Sequence, residues 1–279
     1  MIKIMTDMSA DITKAEAEKY GIRVLPFYIN CGEDSTLADI DYTPEMFYEK
    51  FKATEEIPAT SQATPGLLED MYREMGKDAS IIYISIPGNS SVVVNTARMV
   101  AADLADEGFD ITIVESSMYS MATGANVLTA AQMAADGASK EEIVNYLQDR
   151  FAKDKVYFIV DDLTTLKKGG RIKATAMVVS KVLDFKPILY SNDGMVEAFA
   201  KVKGMKRAVA KLVDCVEENI ADTESEIIVL NADAPEKGDM LANMITERIP
   251  GAKIVQRQVG PIISCHAGLG VFGVYFKHK

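Results

Sequence analysis

Two histidines, His266 and His278, limit where imidazole chemistry can occur in this 279-residue chain. His278 is penultimate, where order is seldom expected, so the reading falls on His266. It stands in Ile263-Ser264-Cys265-His266-Ala267-Gly268-Leu269-Gly270, read as a glycine-rich loop between two strands. A polar side chain there suits a ligand contact, although a histidine satisfied by backbone carbonyls fits the same residues. Three hydroxyl-rich loops could supply its companions: Thr6-Asp7-Met8-Ser9, Thr60-Ser61-Gln62-Ala63-Thr64, and Ser85 to Ser91 with Ser90 and Ser91 at its end. Each precedes an expected helix, where a lone hydroxyl is more simply explained as a cap. Three in one half of the chain weigh toward a site. The basic turn Lys167-Lys168-Gly169-Gly170-Arg171-Ile172 has two readings of similar weight. It is a helix C-cap with lysines in its last turn, or it places Arg171 against a phosphate or an acidic partner.

Other chemistries find less support. Cys31, Cys215 and Cys265 are scattered and unpaired in spacing, so reduced buried thiols are expected rather than a disulfide framework or a zinc site. One usable histidine leaves only carboxylates such as Asp39 and Asp41 for a metal, and no metal or other cofactor is expected. Gly268-Leu269-Gly270-Val271-Phe272-Gly273 has the spacing of a dinucleotide fingerprint but lacks the helix and acidic residue that must follow it. No phosphate-binding G-x-x-x-x-G-K-[ST] occurs. A self-sufficient hydrolase would use a serine with His266 as base and Asp7 as orienter, without a G-x-S-x-G elbow.

The elements that must position these residues alternate in an α/β rhythm. Strands are expected at Ile2 to Thr6, Val24 to Asn30, Ser80 to Ile86, Asp110 to Glu115 and Lys155 to Val160. Between them lie an amphipathic segment from Ser9 to Tyr20, helices opened by Thr43-Pro44 and Thr64-Pro65, one starting at Ser90 or Ser91, and one over Ser120 to Ala135. A capping box at Ser139 to Glu142 opens a helix to Phe151, and Cys31 to Tyr42 is read as a polar loop. The second half differs in texture. Lys186 to Ser191 and Met195 to Lys203 flank Asn192-Asp193-Gly194, a hairpin signal that the first half lacks. Helices Met205 to Ile220 and Pro235 to Ile249 follow, with strands at Glu226 to Leu230, Lys253 to Val259 and Val271 to Phe276. The expectation is two α/β domains, residues 1–155 with a mostly parallel sheet and 156–279 with a mixed sheet and a hairpin, divided near 153 to 163.

Composition narrows the partners. With 30 Lys+Arg against 41 Asp+Glu the formal charge is -11, which repels phosphate backbones and anionic membrane surfaces, and the basic stretches are too short for duplex binding. The N-terminus reads as an opening strand rather than a signal peptide, and no apolar run approaches the ~18 residues of a membrane span. A cytoplasmic protein is expected, with no nucleic-acid partner and no integral membrane segment. Nothing in the chain announces an interface, so a monomer is expected.

Five groups of residues together resemble the DegV family: Thr6-Asp7-Met8-Ser9-Ala10-Asp11, Thr60-Ser61-Gln62, Leu166-Lys-Lys-Gly-Gly-Arg171-Ile172, Lys186-Pro187-Ile188, and Gly260-Pro261 followed by His266 and Gly268. They run in order over essentially the whole chain. The resemblance implies two bacterial-type α/β domains, a long-chain fatty acid held in a buried apolar tunnel, and a role as the acyl-binding subunit of a bacterial fatty acid kinase. The chain would not be catalytic alone, because a separate ATP-binding kinase subunit phosphorylates the carboxylate. Position by position, it implies carboxylate contacts at Thr60, Ser61, Ser90 and His266, with Arg171 facing the kinase or the transferring phosphate. Hydroxyl and imidazole donors suit a carboxylate that must keep an oxygen free to attack phosphorus. Two departures stand out: Met8 replaces a family serine, which would remove a hydroxyl near the ligand head, and the loop from Ile86 to Val94 shares one serine with the family's S-x-L-S-G-T pattern. A regulatory lipid-binding module without kinase coupling is the alternative that shares this site.

Overall fold

The computed structural model describes residues 1–161, 163–173 and 185–279. Its first strand, β1 (Ile2–Asp7), runs into a 3-10 turn at Met8–Ala10 and then helix α1 (Lys14–Tyr20), so the segment read as continuous from Ser9 is divided at Asp11 to Thr13. Thr13 caps α1 and Glu16 reaches back to the Thr13 N–H at 3.0 Å, a capping box. Pro26 interrupts the run from Val24 to Asn30, giving β2 (Arg23–Leu25) and β3 (Phe27–Cys31). The polar stretch expected to be a loop instead folds back as β4 (Asp34–Ala38), antiparallel to β3. The turn is Gly32-Glu33, with Gly32 at φ +61, so a hairpin does occur in the first half. Polar side chains concealed it because β4 is an edge strand with one exposed face.

The two Thr-Pro pairs open α2 (Pro44–Lys52) and α3 (Pro65–Met75), with each threonine hydroxyl accepting a backbone N–H from the first turn. Between them lies β5 (Ala59–Ser61), a short strand where a loop was expected. The order continues with β6 (Ser80–Ser85), α4 (Val93–Ala105), β7 (Asp110–Glu115), α5 (Met121–Ala135) and α6 (Lys140–Lys153). Helix α4 starts two residues later than the serines suggest, because Pro87 to Ser91 forms a separate turn. The Ser139 capping box on α6 is present with both of its bonds.

Among the described residues, every later strand joins a six-stranded sheet: β8 (Lys155–Ile159), β9 (Phe185–Asn192), β10 (Met195–Lys203), β11 (Glu226–Asn231), β12 (Lys253–Gln258) and β13 (Phe272–Phe276). Helix α7 (Thr164–Gly169) follows β8, α8 (Met205–Asn219) follows β10, α9 (Pro235–Arg248) follows β11, and α10 (Pro261–Ala267) precedes β13. Position 162, inside the interval where the two halves were expected to part, lies outside the described residues. The sheet order is β10-β9-β8-β13-β11-β12, parallel only between β11 and β12. The first half holds the parallel sheet β2-β1-β6-β7 and the antiparallel β4-β3-β5. Asp193 and Gly194, at φ +48 and +72, turn the β9–β10 hairpin. Those two positive angles are what a type I′ turn requires.

Alternation along the large sheet divides its faces. Tyr157 and Ile159 on β8, with Ile227 and Val229 on β11, pack with α8 and α9. Val156, Phe158, Ile228 and Leu230 belong to the other core, which they share with residues of the first half. Asp154 fastens the same junction. Its buried carboxylate accepts from Arg150, from the Tyr275 hydroxyl at 2.8 Å and from the His278 N–H at 3.0 Å. His278 is thus ordered, its ring stacked on Phe276 with centroids 4.3 Å apart, contrary to the expectation for a penultimate residue. Among the described residues no helix is long and apolar enough to cross a membrane.

Candidate functional site

A cavity of about 560 Å³ lies between the inner face of the large sheet and the loops of the first half, within the usual range for small-molecule sites. Thr60, Ser61, Ser90, Arg171 and His266 all border it. Thr60 is carried by β5, whose pairing with β3 sets Thr60 opposite Ile29. His266 sits in the last turn of helix α10, not in a glycine-rich loop as the sequence suggested. Pro261 opens that helix at its first position and Gly268, at φ +81, stops it. The glycines punctuate the helix end and hid it in the sequence.

The Thr60 hydroxyl and His266 Nε2 are 2.8 Å apart. Burial, with the nearby Arg171 guanidinium as the second cause, depresses the His266 pKa to about 4, so the ring is neutral at pH 7. Its Nδ1 is buried without a partner among the described residues. Gly169, at the end of α7, packs against that nitrogen: a Cβ there would stand 2.8 Å from it. Arg171 follows the αL cap Gly170, so the basic turn is indeed a helix C-cap, and the same cap delivers the arginine to the cavity. Its Nε donates to the Ser90 carbonyl at 3.0 Å, and its Nη1 donates to the Gly169 carbonyl. The Ser90 hydroxyl donates to the Pro87 carbonyl at 2.8 Å, while Ser61 accepts from Asn30 Nδ2 at 2.5 Å. Thr60, Ser61, Ser90, Arg171 and His266 thus bring three separate sets of hydrogen-bonding atoms to one cavity, with Arg171 the one cation among them.

The remaining wall is largely hydrocarbon. Phe158, Gly273 and Leu230 lie in one cross-strand row over β8, β13 and β11, and all three border the cavity. Glycine is the one residue that fits the middle of the row, because a Cβ would overlap the Tyr157 carbonyl and stand 2.6 Å from Phe158 Cβ. The row therefore has no side chain at its centre. Ile262 and Ile263 from α10 close over the same space. A polar cluster continuous with an aliphatic wall fits an amphiphile with a small anionic head.

Several sequence expectations change here. Met8 is buried in the core and is not among the cavity-lining residues, so methionine at this position takes no hydroxyl from the cavity wall. Asp7 does not orient His266. Its oxygens accept from the Ser9 N–H at 3.0 Å, the Ser9 hydroxyl, the Tyr83 hydroxyl at 3.1 Å and the Ile86 N–H at 3.0 Å. Ser90 donates to a carbonyl rather than to the imidazole. The described residues thus assemble no Ser-His-Asp relay. Asp39 accepts the Asp41 N–H and Asp41 pairs with Lys14 at 2.7 Å, and no His, Cys, Asp and Glu cluster suited to a metal occurs among the described residues. Cys215 and Cys265 are buried free thiols, and Cys31 is half-buried.

Tyr119 is a lining residue that the sequence did not disclose. Its hydroxyl donates to the Gly194 carbonyl, and burial pushes its pKa up to about 12. Asn89 binds the same hairpin tip, donating to the Asp193 carbonyl at 2.9 Å. A single tyrosine beside Ser120 carries no motif; its role depends on a hairpin more than 70 positions away.

Known proteins share this architecture. A family model described as an uncharacterised protein of the DegV family matches residues 1–279. A DegV domain-containing protein of Clostridium perfringens is 33% identical over 280 residues, covering 98% of this chain and 96% of its own. The structure of Bacillus subtilis DegV, described as a fatty acid binding protein, is similar with a TM-score of 0.88, 26% identity, and coverage of 100% of this chain and 99% of its own. A Thermus thermophilus DegV family protein described for its fatty acid binding gives a TM-score of 0.90 at 25% identity, with the same coverage.

Proposed function

The chain belongs to the DegV family, and on that premise we propose that it binds a long-chain fatty acid, with the carboxylate at Thr60, Ser61, Ser90 and His266 and the alkyl chain along the inner sheet face. The observation that carries this reading is the cavity itself, in which the Thr60–His266 pair and Arg171 adjoin the wall formed by Phe158 and Leu230. Each methylene removed from water contributes about 0.8 kcal/mol, so the tail supplies retention while the head group supplies orientation. The fatty acid binding described for the Bacillus subtilis and Thermus thermophilus proteins supports the same assignment.

The finer role is presentation of the bound carboxylate to a separate ATP-dependent kinase subunit, with Arg171 facing the partner or the transferring phosphate. Neutral donors leave the carboxylate nucleophilic, whereas a tight bidentate ion pair would quench it. This role is that of a cytoplasmic, monomeric binding subunit with domains 1–155 and 156–279. The test is fatty acid titration of the wild type and of the Thr60→Ala/Ser90→Ala variant. A loss of tenfold or more supports the head-group assignment, and unchanged affinity overturns it. Kinase coupling has its own test, formation of acyl phosphate when loaded protein, ATP and a DegV-associated kinase subunit are mixed; absence of product leaves the regulatory binding module as the function.

A further inference from the structure

Asp11 follows the 3-10 turn after β1, and its side chain reaches the second half of the molecule. Oδ2 accepts from the Gly260 N–H at 2.8 Å and from the Ser120 hydroxyl. Oδ1 is buried without a partner among the described residues. Both donors sit directly before a helix: Ser120 before α5, and Gly260 before the helix that carries His266. Neither helix receives a capping bond from its own N-cap side chain. Asp11 and Ser120 have φ values of +55 and +57, a region unfavourable to residues with a Cβ. That two adjoining residues hold it together indicates a junction imposed by the surrounding structure. Gly260 approaches so closely that a Cβ there would overlap Oδ1.

The charged and titratable groups around this carboxyl come from four directions. Asp7 lies on its own segment. Arg257 on β12 is already held by Glu16 at 2.6 and 2.8 Å. The Tyr48 phenol on α2 feels the carboxyl and donates to the Val259 carbonyl at 2.5 Å. His266 stands at the other end of the helix that Gly260 opens and is neutral. Burial raises the Asp11 pKa to about 7 against the partial opposition of Gly260, Ser120 and Arg257, with Asp7 adding to the rise.

We propose that Asp11 is a positioning residue for His266: it fastens the start of α10 to the first half of the molecule, and its ionisation loosens that fastening and speeds release of the bound acid. This inference rests on the fatty acid reading above. The sign follows from linkage. In an opened, hydrated junction the carboxyl titrates near its ordinary value of 3.8, so protons favour the closed form. The equilibrium for opening increases by up to tenfold per pH unit between about 4 and about 7, then levels off.

Two measurements on the full-length protein test it. Dissociation of palmitate into a lipid-vesicle trap is followed from pH 5.5 to 8 for the wild type, Asp11→Asn and Gly260→Ala. Asn keeps an acceptor for Gly260 and Ser120 but cannot ionise. The wild-type rate is expected to rise by about 25-fold relative to Asp11→Asn between pH 5.5 and 7.5, and Gly260→Ala to release rapidly throughout. Parallel profiles for wild type and Asp11→Asn overturn the proposal. The second measurement is the imidazole NMR signal of His266 in ligand-free protein. Since the ring itself titrates near 4, a response with a midpoint near 7 that disappears in Asp11→Asn supports positioning, and its absence in the wild type overturns it. A His266 response without palmitate binding by any variant would overturn the fatty acid function while leaving the positioning role supported.

Discussion

Thr60 and His266 are 206 positions apart, yet the threonine hydroxyl and Nε2 of the imidazole meet at 2.8 Å. One belongs to a three-residue strand of the first half and the other to a short helix of the second. The contact spans the two halves at the cavity and sets the ring in the cavity wall.

The first prediction concerns this pair. A hydrogen bond to a charged group contributes roughly 1.5–3 kcal/mol, so Thr60→Val and His266→Phe should each weaken fatty acid binding by about tenfold or more. Because the two side chains orient each other, the double variant should lose less than the product of the single losses. Isothermal titration calorimetry reads this directly; strictly multiplicative losses would show that the two bind the ligand independently.

Gly169 offers a cleaner perturbation. Its backbone angle is not left-handed, so Ala is conformationally acceptable there, but the added methyl would crowd His266 Nδ1 at 2.8 Å. Gly169→Ala should reduce acyl affinity with little change in unfolding temperature. Gly170→Ala should instead lower the unfolding temperature, because φ +69 penalises any Cβ by about 1 kcal/mol.

Much of this arrangement was legible in the residues. The Thr-Pro caps, the Ser139 box and the Asp193-Gly194 turn act locally, and local chemistry survives folding unchanged. The hydroxyl loops, Arg171 and His266 were legible as a set through their resemblance to one family. What escaped depended on distant partners. Polar β4 is a strand because β3 supplies its ladder, and the segment around His266 is a helix despite its glycines because Pro261 and Gly268 bracket seven helical residues. His278 is ordered because Asp154, 124 positions earlier, holds its N–H. Asp11 escaped for the same reason, since Gly260 lies 249 positions away.

The acid limb of stability should report His266. Its pKa falls from 6.5 to about 4 on folding, mainly through burial and secondarily through Arg171, so the unfolded chain binds the extra proton between those values. The stability contribution is complete above pH 6.5 and is lost as pH falls toward 4, by about 3 kcal/mol in total. Urea unfolding at pH 7 and pH 4.5 should differ less in His266→Gln than in the wild type. An unchanged difference would place the acid sensitivity elsewhere.

The floor of the cavity should set the preferred acyl length. Leu230 belongs to the row that borders the aliphatic wall. Leu230→Trp should therefore shift binding toward shorter acids, and Leu230→Ala should broaden it, with about 2–5 kcal/mol lost in stability for the cavity created. Competition among saturated acids of graded length resolves the two cases, and an unaltered length profile in Leu230→Trp would place the chain along another wall.

Asp154 is expected to matter for folding rather than binding. Removing this fully buried carboxylate leaves Arg150 without its counter-ion and the His278 N–H without its acceptor. Asp154→Ala should cost roughly 3–5 kcal/mol, measured by denaturant unfolding, while the residual folded protein retains its acyl affinity.

The most direct test of the central assignment is denaturing extraction of freshly purified protein followed by mass spectrometry of the lipid fraction. A long-chain fatty acid is expected at close to one per chain, reduced in His266→Phe. A wild-type protein that carries none and takes up none after incubation with long-chain acids would contradict it.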